Sequence, residues 1–133
     1  MNLLDENIPS EQRDILSGWR IRFQEIGGGI GRSGIKDSEI IPLLHGLKSV
    51  TFFTLDRDFY KRHLRHASYC LAYLDVEDHE VAIFVRRFLR HPSFDAQAKR
   101  LGKVVRISHA RLQVWQLHSE REEEFQWLVA RSG

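Results

Sequence analysis

Apolar positions along this chain fall into short runs separated by polar segments, and two spacings recur. Val50-Thr51-Phe52-Phe53-Thr54-Leu55 is a continuous β-branched and aromatic run, the pattern of a strand buried on both faces. Ser68 to Leu74 repeats it around Cys70 and Leu71, and Leu3-Leu4 ends a shorter strand near the start of the chain. Trp19 to Ile26 alternates instead, with Trp19, Ile21 and Phe23 on one side and Arg20, Arg22 and Gln24 on the other. That alternation predicts a half-exposed strand near an edge. Helical spacing fills the gaps. Pro9-Ser10 opens a helix that runs to about Ser17, where Gly18 stops it. Asp37 or Ser38 opens a second through Ile40, Ile41, Leu43 and Leu44, ending at Gly46, with Pro42 near the first turn where its cost is smaller. Asp58 to His66 reads as a short helical segment. Asp78 opens a helix with Val81, Phe84, Val85, Phe88 and Leu89 on one stripe, ended by His91-Pro92. Lys103 to Ser108 and Leu112 to Leu117 read as a hairpin turning at His109-Ala110-Arg111.

Strands that alternate with helices imply an α/β fold, a mostly parallel central sheet with helices on both faces and a C-terminal β-hairpin. The boundaries are a compact domain over 1–118 and an extension over 119–133. In the extension an acidic run, Glu120 and Glu122 to Glu124, precedes Phe125, Trp127, Leu128 and Val129. Acids at its start favour a helix there. Its apolar residues need cover from the domain itself, a second copy in a homodimer, or a partner.

Composition narrows the class. The chain has 133 residues, 42% hydrophobic and 29% charged, with a net charge of +2. This suits one globular domain and gives only weak whole-chain attraction for nucleic acid. Cys70 is the single cysteine and lies in an apolar run, so no internal disulfide forms and a reducing, cytoplasmic setting is expected. No apolar run approaches the ~20 residues of a membrane span. A start that is acidic within five residues is not expected to be a signal peptide.

The chemistry lies where strands end. Asp56 and Asp58 follow the central run, Asp5 follows Leu3-Leu4, and Asp37 opens the helix before the central strand. Open α/β sheets form sites at the carboxyl ends of their strands. If these four share one edge, their like charges need a cation, and hard oxygen ligands select Mg²⁺ or Mn²⁺. Such ions activate water and stabilise phosphodiester transition states. Arg57, Lys61, Arg62 and Arg65 follow the acids, and Arg32 and Lys36 lie beside Asp37, placed to hold RNA phosphates. Taken singly, Asp37 and Asp58 can equally be helix caps, and the basic run a solvated face.

Three segments carry a resemblance: Leu3-Leu4-Asp5-Glu6-Asn7-Ile8-Pro9, Asp37-Ser38-Glu39-Ile40-Ile41 and Thr54-Leu55-Asp56-Arg57-Asp58-Phe59. In this order they resemble the small bacterial PIN-like proteins, similar to the VapC-type ribonuclease toxins of toxin–antitoxin pairs, and the strand and helix that follow extend the likeness to about residue 90. The resemblance implies a three-layer PIN-like fold. It also implies an Mg²⁺- or Mn²⁺-dependent endoribonuclease whose Asp5, Asp37, Asp56 and Asp58 bind the metal, and a cognate antitoxin protein as partner. PIN domains place a further acid on helices between the first strand and the Asp37-type helix. Here that region is only the strand Trp19 to Ile26 and a glycine loop, in which Glu25 is the only acid, so Glu6 and Glu39 are the alternate ligands.

Two other readings use the same residues. Gly29-Ile30-Gly31-Arg32-Ser33-Gly34 fits G-x-G-x-x-G, with Asp56 22 residues beyond it. The preceding strand is not apolar and the helix starts only at Asp37, so the glycines read as a loop. Alternatively the chain keeps the fold as a protein-binding module without strong catalysis, in which case the acids pair with nearby arginines. His63 and His66 share a face, but no third ligand completes a zinc set.

Overall fold

The structure, a computed structural model, describes residues 1–128. The strands are β1 (Asn2–Leu4), β2 (Gln24–Glu25), β3 (Val50–Thr54), β4 (Tyr69–Asp75), β5 (Lys103–Ser108), β6 (Leu112–Gln116) and β7 (Glu122–Phe125). The helices are α1 (Ser10–Gly18), α2 (Asp37–Leu47), α3 (Val81–Arg90) and the single turn α4 (Gln97–Arg100). One sheet holds all seven strands in the order β2-β1-β3-β4-β5-β6-β7. The first five run parallel, and β6 and β7 fold back antiparallel. The architecture is therefore α/β with a mostly parallel sheet, as the alternation of periods predicts.

Each strand of the centre is apolar on both sides because each side meets a helix layer. Leu4, Phe53, Ala72 and Val105 pack with Leu16 of α1 and with Val81, Val85 and Phe88 of α3. Leu3, Phe52, Leu71 and Val104 pack with Ile40 and Leu44 of α2 and with Phe59. Cys70 is fully buried, and burial pushes its thiol up to about 12, so it is an inert core residue. No described helix is long and apolar enough to cross a membrane.

Four sequence expectations change. Only Gln24–Glu25 of the Trp19–Ile26 alternation pairs as a strand. Gly18 lies within α1, and Arg20, in the left-handed region at φ 63°, ends it: the Arg20 amide donates to the Ser17 carbonyl and the Ile21 amide to that of Leu16. These two bonds form a Schellman turn that holds the chain in a helix end through Ile21. Trp19, Ile21 and Phe23 still pack inward, against the α1–α3 layer.

Asp58 to His66 forms two separate 3₁₀ turns, Arg57–Phe59 and Arg62–Leu64, rather than one helix. The acidic tail is β7, not a helix start, and it pairs with β6 through Leu112↔Phe125 and Trp115↔Glu122. Its continuation packs on the same domain. Phe125 meets Phe94 and His91, and Trp127 Nε1 donates to the Ser108 carbonyl at 2.6 Å. Val129 lies outside the described residues.

Candidate active site

The strand order makes one place on the carboxyl edge special. From β1 the chain crosses through α1 to β2 on one side, then returns through α2 to β3 on the other. Successive connections leave β1 in opposite directions, so a crevice opens between the ends of β1 and β3, the point where open α/β sheets bind ligands. Asp5 follows β1, Asp56 follows β3, and Asp37 is the first residue of α2.

Thr54 holds this crevice together. Its Oγ1 donates to Asp5 Oδ2 at 2.7 Å and accepts the Asp56 amide at 3.0 Å. Asp5 Oδ1 accepts the Glu6 amide at 2.8 Å. Burial raises the Asp5 carboxyl above the usual carboxylate range, the two hydrogen bonds oppose that rise, and the Asp56 charge adds to it. Asp56 Oδ1 in turn accepts the Asp58 amide at 2.9 Å, so Asp56 is also the cap of the 3₁₀ turn that follows.

Asp37, the first residue of α2, lies beside Asp56. Contact with Asp56 raises Asp37, and partial burial and the charges of Asp56, Asp5 and Asp58 raise it further. None of the four acids pairs with a lysine, arginine or histidine among the described residues. The arginine pairing expected of a binding-only module is therefore not seen at them.

The alternate ligands are engaged elsewhere. Glu39 pairs with Arg32 at 2.8 Å. The Glu6 carboxylate accepts the Gly34 amide at 2.9 Å and the Ser33 hydroxyl at 3.0 Å. The glycine loop thus wraps a carboxylate of its own chain where a nucleotide fingerprint would hold phosphate. Gly27 has φ +85°, and a side chain there would come within 3.1 Å of Glu6 Oε2, so this turn requires glycine. Glu25 pairs with Arg13 at 3.0 Å.

The basic run does not stay with the acids. After Asp56 the chain descends across the α2 face of the sheet to re-enter at Tyr69, at the amino edge. Arg65 Nη1 donates to the Gln116 and Ser119 carbonyls, and Arg62 lies over the Trp115 ring. His66 bonds Ser68 at 2.7 Å and stacks on Tyr69. Arg57, Lys61 and Lys36 stay exposed without an acid partner among the described residues.

Among the described residues no three histidine, cysteine or acidic side chains are arranged to enclose an ion. The four-acid set is therefore not a closed cage: Asp37 and Asp56 meet, Asp5 lies behind them with both oxygens bonded, and Asp58 contributes charge. The convergence of four carboxylates on one ion expected from the sequence is thus not seen among the described residues, and Asp37 and Asp56 are the two that would hold a divalent ion. Mg²⁺ dehydrates reluctantly, keeps several waters, and is commonly held by one or two carboxylates plus substrate phosphate.

Stability should record the repulsion. Asp5 and Asp37 sit above their ordinary value of 3.8 in the folded protein. The stability they contribute is full below that value and is lost as pH rises through their folded values. Asp37→Asn is expected to raise stability at pH 7–8 by roughly a few tenths of a kcal/mol, small because Asp37 is exposed and screened. The gain should vanish toward pH 4 in urea titrations; an equal effect at both pH values would mean that the Asp37 charge is not repelled.

The sequence reading omitted Thr54, Tyr73 and Arg106. The signal was alternation: Phe52, Leu71 and Val104 line one face, and two residues later the same face carries Thr54, Tyr73 and Arg106, registered side by side. No family model, curated protein or solved structure matches this chain.

Proposed function

We propose that this chain is an Mg²⁺- or Mn²⁺-dependent endoribonuclease of the PIN-like kind, the toxin half of a toxin–antitoxin pair. The observation that carries the reading is that Asp5, Asp37 and Asp56 share the β1/β3 crevice with no lysine, arginine or histidine paired to them among the described residues. Unpaired carboxylates are stable together only if a proton or a metal joins them. A divalent ion held by Asp37 and Asp56 would supply charge stabilisation at phosphorus and lower the pKa of water. Thr54 fixes the Asp5 carboxylate behind the pair and, through the Asp56 amide, sets where Asp56 begins its turn. Arg57 and Lys61 remain to hold the RNA backbone, and the family resemblance makes a small antitoxin protein the expected partner.

Calorimetric titration with Mn²⁺ tests this reading. The intact protein should bind, and Asp37→Asn and Asp56→Asn should each weaken binding about tenfold or more, a difference of about 1.4 kcal/mol. Absence of binding to the intact, folded protein would sink the reading.

A further inference from the structure

Beside the acids lies a second pocket, of about 160 Å³, lined by Arg57, Tyr60, Tyr73, Asp75 and Arg106. It forms where β3, β4 and β5 end, on the α2 face. Tyr73 is the registered neighbour of Thr54, so the pocket begins one strand spacing, about 5 Å, from the threonine that holds Asp5. Arg57 follows Asp56 directly.

The pocket is rich in donors and poor in free acceptors. Its one acid, Asp75, is already occupied: Oδ2 accepts Arg106 Nη2 at 2.6 Å and Nε at 3.1 Å, and Oδ1 accepts the Tyr73 hydroxyl at 3.4 Å. That leaves Arg106 Nη1 and the whole Arg57 guanidinium without a carboxylate among the described residues. The Tyr60 hydroxyl is buried and has no hydrogen-bond partner. Burial and the neighbouring Glu122 raise the pKa of this hydroxyl, while the Glu122 carboxylate accepts Gln113 Nε2 at 2.7 Å. A buried hydroxyl without a partner is unfavourable, and an incoming acceptor relieves it. Arginine forks and hydroxyls around a small volume are the donor set for a phosphate group, whereas the pocket is too small for a drug-sized ligand.

We propose that this pocket is a backbone-phosphate subsite for single-stranded RNA, taking the phosphate next to the one presented to Asp37 and Asp56. The proposal rests on the ribonuclease reading for its substrate, but the pocket is tested without metal or cleavage. The test is fluorescence anisotropy of a labelled ten-nucleotide RNA in EDTA, repeated over a range of salt, for the wild-type protein and for Arg57→Ala, Tyr73→Phe and Lys48→Ala. Lys48 is exposed at the amino edge and serves as the control cation.

Arg57→Ala should weaken binding and reduce the slope of log K against log salt by about 0.7, the value for one phosphate contact on a single strand. Tyr73→Phe should weaken binding about threefold to tenfold, as expected of one lost hydrogen bond, with the slope unchanged. Lys48→Ala should change neither. Equal slopes for Arg57→Ala and wild type, or equal losses in Arg57→Ala and Lys48→Ala, overturn the subsite. Calorimetric binding of inorganic phosphate without RNA binding also overturns it, since the pocket would then serve free phosphate. RNA binding lost in Arg57→Ala, in a protein that binds no Mn²⁺, upholds the subsite while the ribonuclease reading fails.

Discussion

Phe53→Ala is expected to cost about 3–5 kcal/mol, the range for removing a buried phenyl ring from a packed core. Phe53 is fully buried in β3, the strand between β1 and β4, and meets Phe88 of α3 edge to face with ring centroids 5.9 Å apart. The cavity would open between the sheet and the α1–α3 layer, where β3 and α3 are both regular and have little freedom to close it. Since domains of this size are stable by only about 5–15 kcal/mol, the variant should be near its unfolding threshold at 37 °C. Urea denaturation followed by far-UV circular dichroism reads the effect. A cost below about 1.5 kcal/mol, typical of a tolerated volume-conserving swap, would mean that the ring is not part of a close-packed layer.

Thr54→Val, one residue on, has almost the same shape and a different consequence. Phe53 faces α3, and Thr54 faces the crevice. Valine removes the hydroxyl that donates to Asp5 and accepts from the Asp56 amide. Leaving a buried carboxylate short of a donor costs about 1–3 kcal/mol. The loss should depend on pH, and its sign is fixed by Asp5. Without the Thr54 hydrogen bond, which holds the Asp5 value down, that value rises further above 3.8. The protonated acid hardly needs the donor, so the deficit should be small near pH 4 and full at pH 8. The same variant should weaken Mn²⁺ binding, because Asp5 and the start of the Asp56 turn lose their common anchor. A deficit that is identical at pH 4 and pH 8 would contradict the role given to Thr54.

These two neighbours also show how far the sequence can be read. The apolar run of β3 and β4, the stripe of α3 and the β5–β6 hairpin were legible, because burial on one or both faces leaves a period in the sequence. The acids that meet at the crevice were legible as strand ends and a helix start. Roles set by tertiary pairing were not. Glu6 looks like a spare ligand beside Asp5, but a glycine loop 27 residues later donates to it. Arg65 looks like part of a basic cluster behind Asp58, but two 3₁₀ turns carry it across the sheet to the carbonyls of Gln116 and Ser119. The tail misled because acids before apolar residues suit a helix start. Its strand signal was the alternation of Phe125 and Trp127 with Glu124 and Gln126.

The two rims of the sheet decide how another molecule can approach. One rim is β2, only two residues long, and the other is β7, whose Glu122 and Glu124 are exposed. A strand needs a row of free amides and carbonyls to extend a sheet, and a short rim or a charged one denies it that template. Ladder growth is therefore disfavoured at both ends, for stray chains as much as for copies of itself. Partners are left to dock side chain to side chain, over the helix layers or at the carboxyl edge where the crevice lies.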